Sequence, residues 1–374
     1  QLNQSFAADT VSFMVVPSVR AWRFINIIRR KPKERQVLQM NTKIWLKEYL
    51  DAPIKKALPI LSFPGANLIG HTVDELVKDG HLQALCMEAI AKRYDMGAAL
   101  SLMDLSVEAE AFGAEVRYNS EEVPTVCGRL VETEEDAQAL AVPAVGAGRT
   151  GECIRGIREA KSLIKDRPVL AGMIGPYSLA GRLLDMTEIM ILCYEEPEMV
   201  ETVLEKVTEF LTEYAKAFKA AGADGIVLAE PAAGLLSPNL IEEFSTPYVQ
   251  KIRRAVEDDN FLFIYHNCGN VTPIMEKIRE INASVYSMGN AIDLEDALKV
   301  LPAESLVIGN IDPAGIIRNG SPDIIRNETK SLMKRCCKYP NFVIASGCDI
   351  PPATPIENLD AFFQAVDEFY KEVS

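Results

Sequence analysis

The sequence has no apolar run near the ~18–20 residues needed to cross a bilayer, so no membrane-spanning helix is expected. Residues Gln1 to Thr10 are polar, with no basic region ahead of an apolar core, so no signal peptide is expected. Positive charge is in deficit. The 39 Lys and Arg face 53 Asp and Glu, for a net charge of −14, which disfavours nucleic acid as a partner. No internal repeat or low-complexity linker stands out, and histidine is scarce, with three in 374 residues. The cysteines (Cys86, Cys127, Cys153, Cys193, Cys268, Cys336, Cys337 and Cys348) are scattered along the chain. Without a signal peptide they read as reduced thiols of a cytoplasmic protein, not as a disulfide framework.

What is present is a rhythm. Short apolar runs, each ended by Pro, Gly, Asn or an acid, alternate with helical stretches. Strands are expected at Leu58–Phe63, Ala98–Met103, Val169–Ile174, Gly225–Ala229, Phe261–Tyr265, Ser284–Ser287, Leu306–Ile308 and Phe342–Ala345. Helical patterns between them include Glu196–Ala221 and Leu240–Val256, the latter opened by Ser237 as N-cap and Pro238 in the first turn. Strands alternating with helices pair in parallel through right-handed crossovers. Eight of them predict an α/β fold, a (β/α)8 TIM barrel over residues 57–374. Gly113–Thr125 reads as a hairpin inserted after the second strand.

Residues 1–56 read as a helical N-terminal extension. Ala21 to Arg30 alternates apolar and basic positions at helical spacing before Pro32, and a second helix is expected over Thr42 to Leu50. Basic residues outnumber acids between Arg20 and Lys56. That stretch is either a solvated basic face over a buried one or a contact surface for an acidic partner or a homo-oligomer.

In such a barrel the reacting groups sit just past the C-terminal ends of the strands. Those positions hold Pro64-Gly65, Asp104, Gly175-Pro176-Tyr177, Glu230-Pro231, His266 with Cys268, Met288-Gly289-Asn290, Gly309-Asn310 and Cys348-Asp349. His266 and Cys268 are two residues apart on an extended chain, so their side chains point the same way. Cys348 repeats the strand–glycine–cysteine layout eighty positions later. Brought together, the three make an N/S/S ligand set that suits Zn2+ and leaves a fourth position open. The bland alternative is that both cysteines are small buried hydrophobes. Glu230 is a fourth-ligand or general-base candidate, against the simpler role of capping backbone amides. Asp104 is a candidate for orienting substrate or a ligand, and Asp349 for supporting the metal site. Asn290, Asn310, Tyr177 and His71 are candidates for the substrate-binding rim.

Two motif matches carry little. Gly146-Ala147-Gly148-Arg149-Thr150-Gly151 fits G-x-G-x-x-G but follows a poor strand interrupted by Pro143, and a helix start explains its glycines. Asp79-Gly80-His81-Leu82-Gln83-Ala84 lacks the final glycine of a cobalamin-carrying module, so no resident corrinoid is expected there. Cys336-Cys337 reads as part of a helix, not as a redox pair.

The strand-end blocks resemble the uroporphyrinogen decarboxylase superfamily from about Leu58 to the C-terminus. The blocks are Gly222-Ala223-Asp224-Gly225 through Glu230-Pro231, Leu236-Ser237-Pro238, Gly309-Asn310-Ile311-Asp312-Pro313 and Thr354-Pro355 with Glu357-Asn358. The His266-x-Cys268 pair, the late Gly347-Cys348 and the run Val107 to Gly113 are similar to its zinc-dependent corrinoid methyltransferase branch, the methylcobalamin:coenzyme M methyltransferases. The arginine-rich block of the decarboxylases is missing from Leu61 to Asn67.

The resemblance implies a thiol acceptor, held by zinc as thiolate, that takes the methyl group of a methyl-Co(III) corrinoid carried by a separate corrinoid protein and leaves Co(I). It also admits the reverse direction, from a methylated small molecule to Co(I). The rivals are tetrapyrrole decarboxylation, disfavoured by the missing arginines, and a non-enzymatic corrinoid-protein-binding or metal-storage subunit. Coenzyme M, homocysteine, a folate or a methylated plant or amine compound all fit as methyl donor or acceptor.

Overall fold

The computed structural model describes residues 40–373. The expected helix over Ala21 to Arg30, and with it much of the basic stretch, lies outside the described residues. In chain order the strands are β1 (Ala99–Leu100), β2 (Glu115–Arg117), β3 (Thr125–Cys127), β4 (Val169–Ile174), β5 (Gly225–Ala229), β6 (Leu262–Asn267), β7 (Val285–Met288), β8 (Leu306–Ile311) and β9 (Phe342–Ser346). β2 and β3 form the small antiparallel hairpin. The other seven make one sheet in the order β1-β4-β5-β6-β7-β8-β9, with every neighbour parallel. Helices such as Thr150–Leu163 and Pro197–Ala221 connect them. β4 to β9 are almost wholly buried, which is why they read as continuous apolar runs rather than alternating ones.

The first expected strand, Leu58–Phe63, does not form a regular ladder. It still bridges the two edges of the sheet. Gly97 N donates to Ala57 O, and Leu58 N donates to Ile344 O, each at 3.0 Å. Pro59 has no amide to give, and Ile60 N turns to the Ser346 hydroxyl at 3.0 Å. The segment thus closes the curled sheet as an eighth, irregular stave. Side chains from all eight meet inside, among them Leu58, Leu100, Leu170, Val227, Ile264, Val285, Ile308 and Val343.

The helix expected over Thr42 to Leu50 spans Thr42–Asp51, with Asn41 as its N-cap. Its Trp45, Leu46, Tyr49 and Leu50 pack on that interior cluster and floor the barrel. Two other expectations are corrected. The single helix over Leu240–Val256 is two, Pro238–Phe244 and Thr246–Val256, broken at Ser245. Pro247 lacks the amide that would have continued the first helix. β1 is shorter than Ala98–Met103, because the Ser101 hydroxyl, in place of a backbone carbonyl, accepts from Gly172 N at 2.9 Å. Among the described residues no helix is long and apolar enough to cross a membrane.

Candidate metal centre at the strand ends

Strand β6 ends Tyr265-His266-Asn267, and Cys268 follows it. Strand β9 ends at Ser346, two residues before Cys348. The loops between are drawn tight by glycines. A Cβ on Gly289 would stand 2.4 Å from Cys268 Cα, and one on Gly347 would stand 2.7 Å from the Asn290 amide nitrogen. Glycine is required at both places for the loops after β6, β7 and β9 to close on one point. The ligand atoms of His266, Cys268 and Cys348 then lie within 4.8 Å of one another. Among the described residues no other group of His, Cys, Asp or Glu side chains converges in this way.

His266 is 2% exposed. It pairs across the sheet with Ser287 of β7, whose hydroxyl lies 3.0 Å from its Nδ1. Its Nε2 is buried with no hydrogen-bond partner. A buried ring nitrogen left so costs about 1–3 kcal/mol, and a metal ion bound there removes that cost. Hydrogen bonding from the Cys348 thiol, with help from the imidazole, pulls Cys268 below its ordinary thiol range. The same contact, with burial, pushes Cys348 above it. A metal ion takes both sulfurs as thiolates and releases their protons on binding. One imidazole and two thiols, with Ser287 fixing the far ring nitrogen, is a donor set that fits zinc.

The other expected site residues separate. Glu230 is fully buried. Its oxygens accept from Tyr177 N at 3.1 Å and Ser178 N at 2.6 Å, at the start of the helix Pro176–Leu184. Burial pushes its carboxyl up to about 7. It is not among the converging ligand atoms.

Asp104 is buried and bound to Arg149, with its other oxygen accepting from Ser106 N at 3.0 Å and Ser106 Oγ at 2.6 Å. Arg149 also reaches Glu110 at 2.6 Å. Burial works against the guanidinium charge, but the Asp104 and Glu110 carboxylates outweigh it and hold Arg149 above its usual range. The Asp349 carboxyl accepts from Ser62 Oγ at 3.1 Å, and burial pushes it well up.

Asn290 is exposed beside Gly347, next to Cys348. Asn310 is turned inward, its Nδ2 donating to Gly289 O at 2.9 Å and Ile292 O at 3.0 Å. Those two bonds hold the loop that carries Gly289. Tyr177 does not reach the rim either. It is fully buried with its hydroxyl 3.7 Å from Cys193 Sγ, because the helix it opens packs inward. His71 lies outside the cluster, 3.2 Å from Glu75, in a cleft of about 410 Å³ lined also by Asn67, Thr72, Ser120 and Pro352.

Two residues escaped the sequence reading. Ser287 has no motif, and its role rests on strand register. Arg149 sits in the glycine-rich run, which proves to be a loop that delivers a guanidinium to Asp104.

Residues 52–369 match the family model described as uroporphyrinogen decarboxylase (URO-D). A methylcobamide:CoM methyltransferase of Methanosarcina barkeri is 29% identical over 71% of this chain and 78% of its own length. One from Methanosarcina mazei is 24% identical over 93% and 97%. A solved methyltransferase structure from Methanosarcina mazei superposes with a TM-score of 0.78, at 27% identity, over 89% of this chain and 99% of that one.

Proposed function

Because the chain belongs to the uroporphyrinogen decarboxylase family, we propose that it is a corrinoid-dependent methyltransferase working at the His266–Cys268–Cys348 cluster. The relatives named as methylcobamide:CoM methyltransferases support the reaction class. The observation that carries the site is the partnerless, buried Nε2 of His266 beside two cysteine sulfurs. His266, Cys268 and Cys348 hold zinc, which when bound lowers the pKa of a thiol entering its open position. The substrates are a small thiol, of which coenzyme M is the leading case, and a methyl-corrinoid presented by a partner protein. The thiol sulfur takes the methyl group. The carbon–cobalt bond breaks with its electron pair left on cobalt, and the thiol proton goes to solvent.

The chain's own residues prepare this exchange. Ser287 fixes the imidazole. Glu230 anchors the neighbouring helix. The reading places the protein in a reducing, cytoplasmic setting where its free thiols persist.

The test is purified protein with zinc, methylcobalamin and 2-mercaptoethanesulfonate, followed by the cobalamin spectrum and by the methylated thiol. Wild type should transfer the methyl group. Cys348→Ala, still folded, should lose at least about 100-fold, since disturbing even the groups that support metal ligands costs 10–100-fold. Undiminished transfer by the variant, or none by wild type with any small thiol, would overturn the reading.

A further inference from the structure

The helix Pro176–Leu184 starts straight after β4, at the same barrel end as the metal cluster. Every residue in it is buried except Arg182, which is half-buried. Its guanidinium makes no hydrogen bond and no ion pair with any described residue. That sets it apart from the other basic side chains. Arg149, Lys161, Arg167 and Arg253, all buried or nearly so, each hold a carboxylate. The other described arginines without an ion pair, Arg117, Arg158, Arg254 and Arg318, are exposed to water. Arginine is rarely withdrawn from water unless paired, and this one has five donors with no protein acceptor.

Its surroundings indicate which way it faces. Burial pulls Arg182 below the usual guanidinium range, and the Asp104 carboxylate only partly opposes this. Ser178, four residues earlier and so on the same helix face as Arg182, accepts from Ala232 N at 3.1 Å just past the end of β5, so Arg182 shares the face turned to the strand ends, where the metal cluster lies. Asp104 forms no hydrogen bond or ion pair with Arg182; its oxygens go to Arg149 and Ser106.

We infer that Arg182 is the anion-binding residue of the substrate site. It receives the compact anionic group (carboxylate, sulfonate or phosphate) of a small substrate whose reacting atom lies at the His266–Cys268–Cys348 cluster. This rests on the reading of that cluster as the reacting centre. The planar guanidinium matches such a group with two parallel hydrogen bonds, which a lysine does not reproduce.

The experiment is calorimetric titration of zinc-loaded protein with four probes. They are 2-mercaptoethanesulfonate, 3-mercaptopropionate, 2-mercaptoethanol (the same thiol without the anion) and ethanesulfonate (the same anion without the thiol). Wild type should bind the anionic thiols at least about 10-fold tighter than 2-mercaptoethanol, as one or two charge-assisted bonds provide. Arg182→Gln should lose that preference while keeping its zinc, and Arg182→Lys should recover part of it. No preference in wild type, or an undiminished one in Arg182→Gln, overturns the assignment. If Arg182→Gln does not fold, the wild-type preference and its weakening in Arg182→Lys decide the matter. Ethanesulfonate separates the two readings. Its binding to wild type and loss in Arg182→Gln sustain Arg182 even if no thiol reaches the metal.

Discussion

His266 is held by a single hydroxyl on one side and faces two sulfurs on the other. The chemistry of this arrangement was legible in the sequence. Histidine is rare here, and H-x-C at a strand end puts both side chains on one face. Ser287 was not legible, because register across strands leaves no local mark. The Asp104–Arg149 pair spans 45 positions, and nothing near either residue announces the other.

A third buried group, Glu108, has its own consequence. One oxygen accepts from Ile174 N at 3.1 Å, and the other has no partner. Burial pushes the carboxyl from 4.5 to about 7. The folded protein thus keeps a proton that the unfolded chain releases. The group's contribution to stability is full below about pH 4.5 and is lost as pH rises through about 7. Denaturant unfolding at stepped pH should show Glu108→Gln gaining on wild type across that window, by up to about 3 kcal/mol. Parallel profiles would contradict the placement.

Among the elements, the helix Pro176–Leu184 matters most to the site, since it carries Arg182 and opens on Glu230. Glu230 was read as a ligand or base candidate, with amide capping as the plain alternative, and both of its oxygens are committed to amides. Glu230→Ala should cost about 2–5 kcal/mol, because two buried donors lose their acceptor. Glu230→Gln should cost less. Metal content should survive in both, and zinc lost from a folded Glu230→Gln would make the carboxylate a ligand after all. The strands themselves were readable because burial on both faces leaves unbroken apolar runs. Their edges were misread where side chains replace backbone in the ladder, at Ser101 and Pro59. The helix break at Ser245 comes from Pro247, whose missing amide leaves no mark in the apolar periodicity of Leu240–Val256.

Across the whole molecule, the alternation of strands and helices sufficed to read a barrel. It could not show that one stave is irregular, nor that the helix Thr42–Asp51 serves as its floor. With the floor closed by Trp45, Leu46, Tyr49 and Leu50, the cluster of reactive side chains belongs to the opposite end, where the strands finish. The His266–Cys268 pair and Cys348, eighty positions further on, meet there only because the sheet curls shut.

X-ray absorption at the zinc edge of metal-loaded protein, with and without 2-mercaptoethanesulfonate, tests that convergence most directly. The account predicts two sulfur neighbours and an imidazole nitrogen, rising to three sulfurs when the thiol is added. Only nitrogen and oxygen neighbours, or a sulfur count unmoved by the thiol, would contradict it.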